Sequence, residues 1–542
     1  MPSAGVAPRV LVPRLNCARG GTKGVVVTLC GGPLRGPVGR LAFRTGDQCM
    51  TFVKTLLAKL NLGTSVAEFD EDLENYFVET NVFREFVRDK VDIIAGDKGT
   101  GKTAIYRFIN KQQRAISQLD DVMIIPAFDP SGNPIFTSLT SKNVLSEAEY
   151  VLLWKSYILT LVGNTIIENN SDLVGTGLDR LLIGLNLKIT NPNPKSVFRK
   201  TLDKMPNFFR WKSAEVAFTI TDSGAPVFTP KVEFQTTPGD VKLDGIISAE
   251  DALSVLNDVL AEHDTRVWIM FDRLDEAFQG HPELEVTALR GLLRTYLDLT
   301  EFDNLKLKLF LRKDLFRRIT SSGFVNLTHV NARKIEIIWD EDDLLNLLVR
   351  RIRENKDFMA ELGLVEKTDR EIFDVLFPDQ VDFGDRKPKT WVWMMRRVRD
   401  GNDVKPPRNL IDLIRFSREA QLRKEERDPR EVNEEPLFEA DSLRNGLSKL
   451  SETRVNDTLL AEAGSFAPLI ARFRDGKAEH NPESLSEVLE VKRNEIKQAV
   501  KPLIELGFLE EIKGNYKIPT LYREGLGVTQ GKAFSSLEDE DV

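Results

Sequence analysis

The feature that constrains this chain most is a glycine-rich stretch of eight residues. These residues are Gly96, Asp97, Lys98, Gly99, Thr100, Gly101, Lys102 and Thr103. An apolar run (residues 91–95) precedes the stretch and predicts a buried strand, and residues 102–116 have the apolar spacing of a helix. Glycines admit a positive φ, so successive N–H groups can turn inward at the positive end of that helix. The pattern predicts a loop that cradles phosphates, with Lys102 on the β- and γ-phosphates and Thr103 on Mg²⁺.

A second apolar run, residues 267–271, ends in three acids, Asp272, Asp275 and Glu276. Ligands of open parallel α/β sheets bind at the carboxyl ends of the strands. Asp272 is therefore predicted to hold the water shell of Mg²⁺, and Asp275 or Glu276 to polarise an attacking water. Acids that only cap the following helix are the alternative interpretation.

The order of apolar segments predicts the fold class. Strands at 91–95, 122–128, 266–271 and 305–311 alternate with helices at 102–116, 249–261 and 283–299. This predicts an α/β fold, a parallel sheet sandwiched by helices. Residues 340–425 look mainly helical, as in a lid, and residues 465–520 show three helices and a hairpin, the order of a winged helix.

Three further segments are predicted between and beyond these units. Ser146 to Glu149 is a capping-box pattern that opens a helix through Val162. Alternation at 215–221 and 231–235 predicts a hairpin. Residues 418–435 are dense in alternating charges, which predicts a solvated helix end or linker. The predicted units are a disordered basic tail or mis-assigned start (1–49), a core (50–330) with an insertion at about 135–245, a helical lid (331–430), a helical and winged-helix domain (431–525) and an acidic tail (526–542).

Composition excludes several classes of function. The chain has 542 residues and a net charge of −8, so it lacks a general basic coat for nucleic acid. All three cysteines lie before Met50, an alternative start, and the four histidines lack ligand spacing, so no zinc site held by protein side chains is expected. No apolar run reaches the roughly 18–20 residues that span a bilayer. A cytoplasmic protein without membrane contact is predicted.

The run Asp272-Arg273-Leu274-Asp275-Glu276 resembles the Walker B motif of STAND-type and KAP-type P-loop ATPases, in the AAA+-like division. In STAND relatives a small residue commonly follows the first Asp, and Arg273 departs from that pattern. The resemblance implies ATP with Mg²⁺, a homo-oligomer, and a place among bacterial ATPases linked to defence or mobile elements. It also implies that Arg312, after a strand, senses the γ-phosphate, a surface charge being the alternative. Arg408, which opens a lid helix, would reach the nucleotide.

Several choices stay open at this point. An arginine finger acting on a neighbouring subunit is sought among Arg290, Arg294, Arg317 and Arg318. The winged helix presents Lys492, Arg493, Lys497, Lys501 and Lys513, which suit duplex DNA, whereas packing within the chain or on an unknown protein partner is the alternative. The first functional hypothesis is an ATP-hydrolysing conformational switch. The alternatives are a DNA-binding regulator or loader whose assembly ATP licenses, and a signalling scaffold that binds nucleotide without turnover.

Overall fold

The computed structural model describes most of the chain beyond residue 51. The described ranges are 52–128, 145–209, 216–220, 226–230, 248–276, 282–321, 323–433 and 435–534. Every described residue belongs to one compact unit, Cys49–Val542. The predicted tail 1–49, the cysteines and the acidic residues after 534 lie outside the described ranges.

The described strands and helices follow one another in a regular α/β order before the chain becomes mainly helical. The strands are β1 (Ile93–Gly96), β2 (Val122–Phe128), β3 (Val216–Ile220), β4 (Pro226–Pro230), β5 (Arg266–Phe271), β6 (Leu305–Arg312), β7 (Lys334–Glu336), β8 (Lys477–His480), β9 (Glu510–Ile512), β10 (Asn515–Lys517) and β11 (Thr529–Lys532). The helices are α1 (Val53–Lys59), α2 (Asn81–Val87), α3 (Lys102–Gln112), α4 (Glu147–Asn169), α5 (Gly177–Gly184), α6 (Pro194–Phe209), α7 (Ala249–Glu262), α8 (Pro282–Leu299), α9 (Lys313–Thr320), α10 (Leu327–Ala332), α11 (Glu341–Arg353), α12 (Lys356–Glu361), α13 (Asp369–Leu376), α14 (Thr390–Val398), α15 (Pro407–Arg427), α16 (Ala440–Thr453), α17 (Leu460–Glu462), α18 (Ala467–Ala471), α19 (Pro482–Leu489), α20 (Ile496–Glu505) and α21 (Thr520–Arg523).

Five parallel strands form the central sheet, in the order β2-β5-β6-β1-β7. Strands β1 and β5 are apolar and buried on both faces, as central strands covered by helices require. Separate apolar clusters lie on the two faces. The predicted α/β sandwich is therefore confirmed, and β2 and β5 match their predicted bounds. Strand β7, at the edge, was not predicted because its three residues carry too short a pattern.

Helix α4 confirms the predicted start at Ser146, whose side chain and that of Glu149 form a capping box. The helix runs to Asn169, beyond the predicted end at Val162, because its apolar side chains continue to face the main core. By length and composition α4 is the one helix of the described residues that could cross a membrane, and 94% of its apolar window is buried inside the protein. That burial is what a core helix shows.

The hairpin is present, although its second strand is placed differently from the prediction. Strands β3 and β4 pair antiparallel, with Phe218 opposite Phe228. Strand β4 begins at Pro226, which the prediction had put in the turn, and residues 231–235 lie outside the described ranges.

A further apolar cluster, separate from the two on the faces of the sheet, contains residues of both the lid helices and the winged helix. It also holds α1, which was expected in the core, and the backbone N–H of Val53 donates to the carbonyl of Arg430 at 2.9 Å. The winged helix contains α19, α20 and the β9–β10 hairpin, as predicted, with the turn at Lys513 and Gly514 (φ 50° and 82°). Strands β8 and β11 complete its four-stranded sheet and were not predicted.

Residues 418–435, predicted as a solvated helix end or a linker, contain the end of a helix, and one face of that helix is buried rather than solvated. Helix α15 continues to Arg427, and Ser417, Gln421 and Glu425 are fully buried along it. The Gln421 amide donates to Glu425 Oε1 and to Glu439 Oε2, at 2.8 Å each. Residues four apart lie on one helix face, so a polar stripe packs towards α16 while the remaining charges face solvent.

Candidate functional site

The glycine-rich loop joins the carboxyl end of β1 to the first turn of α3. Gly99 and Gly101 have φ of 78° and 102°, a region that glycine enters without strain. The Lys102 ammonium donates to the carbonyls of Gly96 at 2.8 Å and Asp97 at 3.0 Å. Burial lowers the pKa of Lys102, and the nearby carboxylates of Asp272 and Asp275 oppose that shift. The loop therefore has the turn geometry and the cation of a phosphate cradle.

Two lid contacts hold this loop from outside. The indole N–H of Trp339 donates to the carbonyl of Thr100 at 2.8 Å. A Cβ added at Gly99 would lie 3.1 Å from Cβ of Arg408, so the start of α15 rests directly on the loop. Any shift of the lid helices relative to the sheet therefore changes these two contacts with the loop.

Asp272 follows β5 and is only 3% exposed. One of its carboxylate oxygens accepts from the Thr103 hydroxyl, and the other, Oδ2, has no hydrogen-bond partner within the described part of the chain. Burial raises the pKa of Asp272 to about 6, although Thr103 and Lys102 favour its ionised form. A hydroxyl beside a buried carboxylate oxygen without a partner fits a hard divalent cation completed by phosphate oxygens and water.

The other two acids of this loop also line the cavity in front of the glycine-rich loop. Asp275 Oδ2 lies 3.5 Å from a guanidinium nitrogen of Arg312, which also forms a two-point contact with Asp314 at 3.0 and 3.1 Å. Burial raises the pKa of Glu276, and the guanidinium of Arg273 opposes that shift. The structure thus brings together all the predicted site residues, Arg312 and Arg408 included, around one cavity or in the loop that bounds it.

The cavity encloses about 1230 Å³, counting its part open to solvent. The acids and Lys102 line part of the cavity, and an apolar set lines another part. That set is Val78, Leu347 and Ile411, with Trp339 packed against them. Sequence reasoning missed these residues because they come from separate segments and carry no motif. An aromatic base would be desolvated there while its phosphates face the loop.

Residues 62–78, here named the strap, form one wall of the cavity. Arg351 from α11 pairs with the buried Asp70 at 2.9 Å and donates to the carbonyl of Leu62 at 2.6 Å. Tyr76 donates to the same carboxylate, and burial raises the pKa of Tyr76. In the sequence this segment is recognisable only by its many acidic residues. It forms a wall of the cavity because a lid residue distant in the chain, Arg351, holds it in place.

Glu285 is a further buried acid that was not predicted. It is 6% exposed, and burial raises its pKa to about 7 despite its ion pair with Arg318. The finger candidates Arg290 and Arg294 both pair with Glu147. Arg317, the remaining candidate, is exposed and has no ion pair within the described ranges.

No protein-family profile matches the sequence, and no curated protein matches it. Among solved structures the chain is similar to the ORC1 protein of Aeropyrum pernix in complex with DNA, at 12% identity, a TM-score of 0.36, and coverage of 85% of this chain and 96% of that chain. It is also similar to the Walker-type ATPase PABY2304 of Pyrococcus abyssi, at 12% identity, a TM-score of 0.36, and coverage of 86% and 99%. The ORC2 protein of Aeropyrum pernix gives 13% identity, a TM-score of 0.35, and coverage of 84% and 96%.

The class of this protein rests on its own sheet and loop. Strand β6 separates the strand that enters the glycine-rich loop from the strand that ends in Asp272. Apolar clusters cover both faces of this sheet. The chain has a P-loop α/β fold, followed by a helical and winged-helix region.

Proposed function

We propose that the chain binds ATP with Mg²⁺, hydrolyses it, and uses the cycle as a conformational switch. The observation that carries this proposal is that Lys102, Thr103 and the buried Asp272 line one cavity together with an apolar set. ATP is proposed rather than GTP because no guanine-reading N/T-K-x-D motif follows the core convincingly.

The residues divide the chemistry among them. Lys102 and the loop N–H groups bind the β- and γ-phosphates, and Thr103 and Asp272 hold Mg²⁺, which neutralises phosphate charge. Glu276 orients a water and accepts its proton while the water oxygen bonds to the γ-phosphorus and the bond to the ADP oxygen breaks. Arg312 and Arg408 stabilise the charge on the γ-phosphate. The raised pKa of Glu276 suits a general base, because a base works best with a pKa nearer the operating pH.

The switch is supported by one short segment that touches both the loop and the winged helix. The backbone N–H of Gly401 donates to the carbonyl of Gly507 at 2.7 Å. Arg399 pairs with Glu510 at 3.3 Å, and a few residues further on Arg408 lies against Gly99. We name the contact of residues 399–402 with residues 505–510 the lid–wing joint. Through this joint, a change in the glycine-rich loop when phosphate binds can alter the position of the winged helix.

The test measures phosphate release by the full chain, by Lys102→Ala and by Glu276→Gln. Turnover that Lys102→Ala abolishes supports the proposal, and Glu276→Gln is expected to bind ATP and retain it. Unchanged hydrolysis in Glu276→Gln would move the base to Asp275. Tight binding without any turnover would favour the nucleotide-binding scaffold, and no binding would refute the proposal.

A second candidate, a DNA-binding regulator, is favoured by the exposed face of α20. Ile496, Val500 and Leu503 bury the opposite face, so Lys497 and Lys501 project to solvent one turn apart. No ion pair joins either lysine to another described residue, and Lys492 and Lys513 at the turn of the wing are likewise exposed and without an ion pair in the described ranges. Exposed Glu495, Glu505 and Glu511 dilute this charge.

Charge reversal separates the two candidates. Lys497→Glu with Lys501→Glu should abolish salt-dependent binding of duplex DNA if α20 meets DNA. Lys356→Glu with Lys387→Glu changes the same net charge at exposed lid positions and is the control. DNA binding that survives in the first double variant assigns α20 to a protein contact. The homo-oligomer, the protein partner, the STAND or KAP assignment and the defence or mobile-element role remain predictions.

A further inference from the structure

Arg273 lies between two residues of the proposed site in a backbone conformation that is unusual for its type. It follows Asp272 directly, and its φ of 58° puts it in the left-handed region that disfavours a long side chain. The proposed hydrolysis uses its neighbours Asp272 and Glu276 but gives Arg273 itself no role. A residue that keeps an unfavourable backbone conformation beside a reactive group invites a search for its contacts.

The guanidinium of Arg273 joins two carboxylates from different parts of the fold. Its Nη2 lies 3.0 Å from Oε1 of Glu68 in the strap, and its Nε lies 3.2 Å from Oε1 of Glu276. All three side chains line the nucleotide cavity and are partly shielded, with 27%, 23% and 45% of the side chain exposed for Arg273, Glu68 and Glu276. The planar guanidinium can bind both carboxylates at once because its N–H groups point in fixed directions.

The strap is itself attached to the lid. Arg351 of α11 holds Asp70, and Arg408 of α15 donates to the carbonyl of Ser65 at 3.4 Å. On the core side, Arg107 of α3 donates to the carbonyl of Ala67. A movement of the lid therefore reaches Glu68, and the Arg273 side chain contacts both Glu68 and Glu276.

We propose that Arg273 is a positioning residue for hydrolysis, which aims the Glu276 carboxylate at water only when the strap is seated over the cavity. This inference rests on the proposed function. By this inference the strap affects the rate of hydrolysis rather than the binding of nucleotide, since Arg273 lies beside Glu276 and not in the glycine-rich loop. Loss of the link therefore lowers kcat and leaves nucleotide affinity nearly unchanged.

The surroundings of Glu276 give a second readout. Asp275 and Glu68 raise the pKa of Glu276, and Arg273 and Lys98 lower it, against a background of burial that raises it. Removing the Arg273 charge should raise the pKa of Glu276 further, so the base stays protonated to a higher pH. The acid limb of the kcat profile should move to higher pH in an Arg273 variant. A purely structural role predicts no such movement.

The variants are chosen to keep the backbone. Asparagine tolerates the left-handed region, so Arg273→Asn removes the guanidinium without adding strain. We expect kcat to fall at least about tenfold, with KM and the Kd for ATP within about twofold, because misaimed reacting groups cost rate rather than binding. Glu68→Gln should lower kcat in the same direction but less, and Glu71→Gln, an exposed acid three residues further along the strap, should leave kcat unchanged.

The double variant Glu68→Gln with Arg273→Asn completes the test, since residues that act through one link are not additive. Its kcat should equal that of Arg273→Asn alone. Unchanged kcat in Arg273→Asn, or fully additive losses, would overturn the inference. A loss of ATP affinity in Arg273→Asn would also overturn it, since the guanidinium would then bind phosphate directly. Absence of Lys102-dependent turnover in the unaltered protein would instead refute the proposed function itself.

Discussion

Replacing Asp272 by Asn should stabilise the nucleotide-free protein near neutral pH while removing Mg²⁺-dependent ATP binding. Burial holds the pKa of Asp272 at about 6, against 3.8 for an unburied aspartate, and this difference corresponds to about 3 kcal/mol at 1.36 kcal/mol per pH unit. Because the folded-state pKa is raised, this stability is complete below about pH 3.8 and is lost as the pH rises through about 6. Asn stays neutral at every pH, so it has no free-energy cost of burying a charge. Its N–H₂ group would replace Oδ2, which has no partner, and burying that unpaired donor costs about 1–2 kcal/mol.

The net gain expected for Asp272→Asn is therefore about 1–2 kcal/mol near pH 7, declining towards pH 4. Urea unfolding without Mg²⁺ or nucleotide measures it at a series of pH values for both proteins. Glu285 and Asp400, whose pKa burial raises to about 7 and about 6, are present in both proteins and cancel in the difference. Asp120→Asn, at an exposed position, is the control and should show a pH-independent change within about 0.5 kcal/mol.

The reasoning is refuted if Asp272→Asn is no more stable than the unaltered protein near pH 7. It is also refuted if the difference is the same at every pH, because the gain would then not come from an ionised carboxylate. Retention of Mg²⁺-dependent binding in this variant would remove Asp272 from the cation site.

Three smaller predictions test the surroundings of the site. Trp339→Phe removes the donor that meets the Thr100 carbonyl at 2.8 Å, and ATP affinity, followed with a fluorescent analogue, should fall about fivefold, which is about 1 kcal/mol. Gly401→Ala places a Cβ 2.8 Å from two backbone carbonyl oxygens of the lid–wing joint and should destabilise it by about 1–3 kcal/mol, seen as faster proteolysis there. Asp412→Ala leaves Arg454 buried without its carboxylate and should cost about 3–5 kcal/mol in urea unfolding.

Matched variants separate these effects from general damage. Gly177→Ala adds a Cβ that meets nothing within 4 Å and should leave proteolysis unchanged. Asp412→Leu combined with Arg454→Met removes both charges of the buried pair and should recover most of the stability that Asp412→Ala loses. Unchanged ATP affinity in Trp339→Phe, or equal proteolysis of Gly401→Ala and Gly177→Ala, would contradict the corresponding argument.

The sheet and the phosphate end of the site were predictable because their physics is local. Each of the two motifs can be recognised within about ten residues of chain. One is the run of five apolar residues before Asp272, and the other is the set of glycines before Lys102. Helix α3 was drawn four residues too long because its last turn tightens after Gln112 into a 3₁₀ turn, which propensity does not mark.

The rest of the site depends on contacts between distant segments. In the sequence the strap is only an acidic loop. Its attachment depends on Arg351, which contacts Asp70 from 281 residues away in the chain. The prediction of a solvated helix end or linker at 418–435 missed the buried residues Gln421 and Glu425 for a related reason, because the many charges of the segment conceal them. A polar residue on a helix is informative only when its face is known, and the face is set by tertiary packing.

The lid is connected to the rest of the molecule by two kinds of contact that respond differently to salt. The strap is linked to Arg273 by an ion pair with the partly exposed Glu68, and dissolved ions screen such a contact more than they screen the buried pair of Arg351 with Asp70. At the lid–wing joint a backbone N–H meets a backbone carbonyl between two glycines, and this bond carries no net charge. Raising the ionic strength should therefore weaken the link of Glu68 to Arg273, while the backbone bond and the apolar cluster keep the winged helix attached to the lid. Ionic strength alone would then separate control of hydrolysis from the coupling to the winged helix.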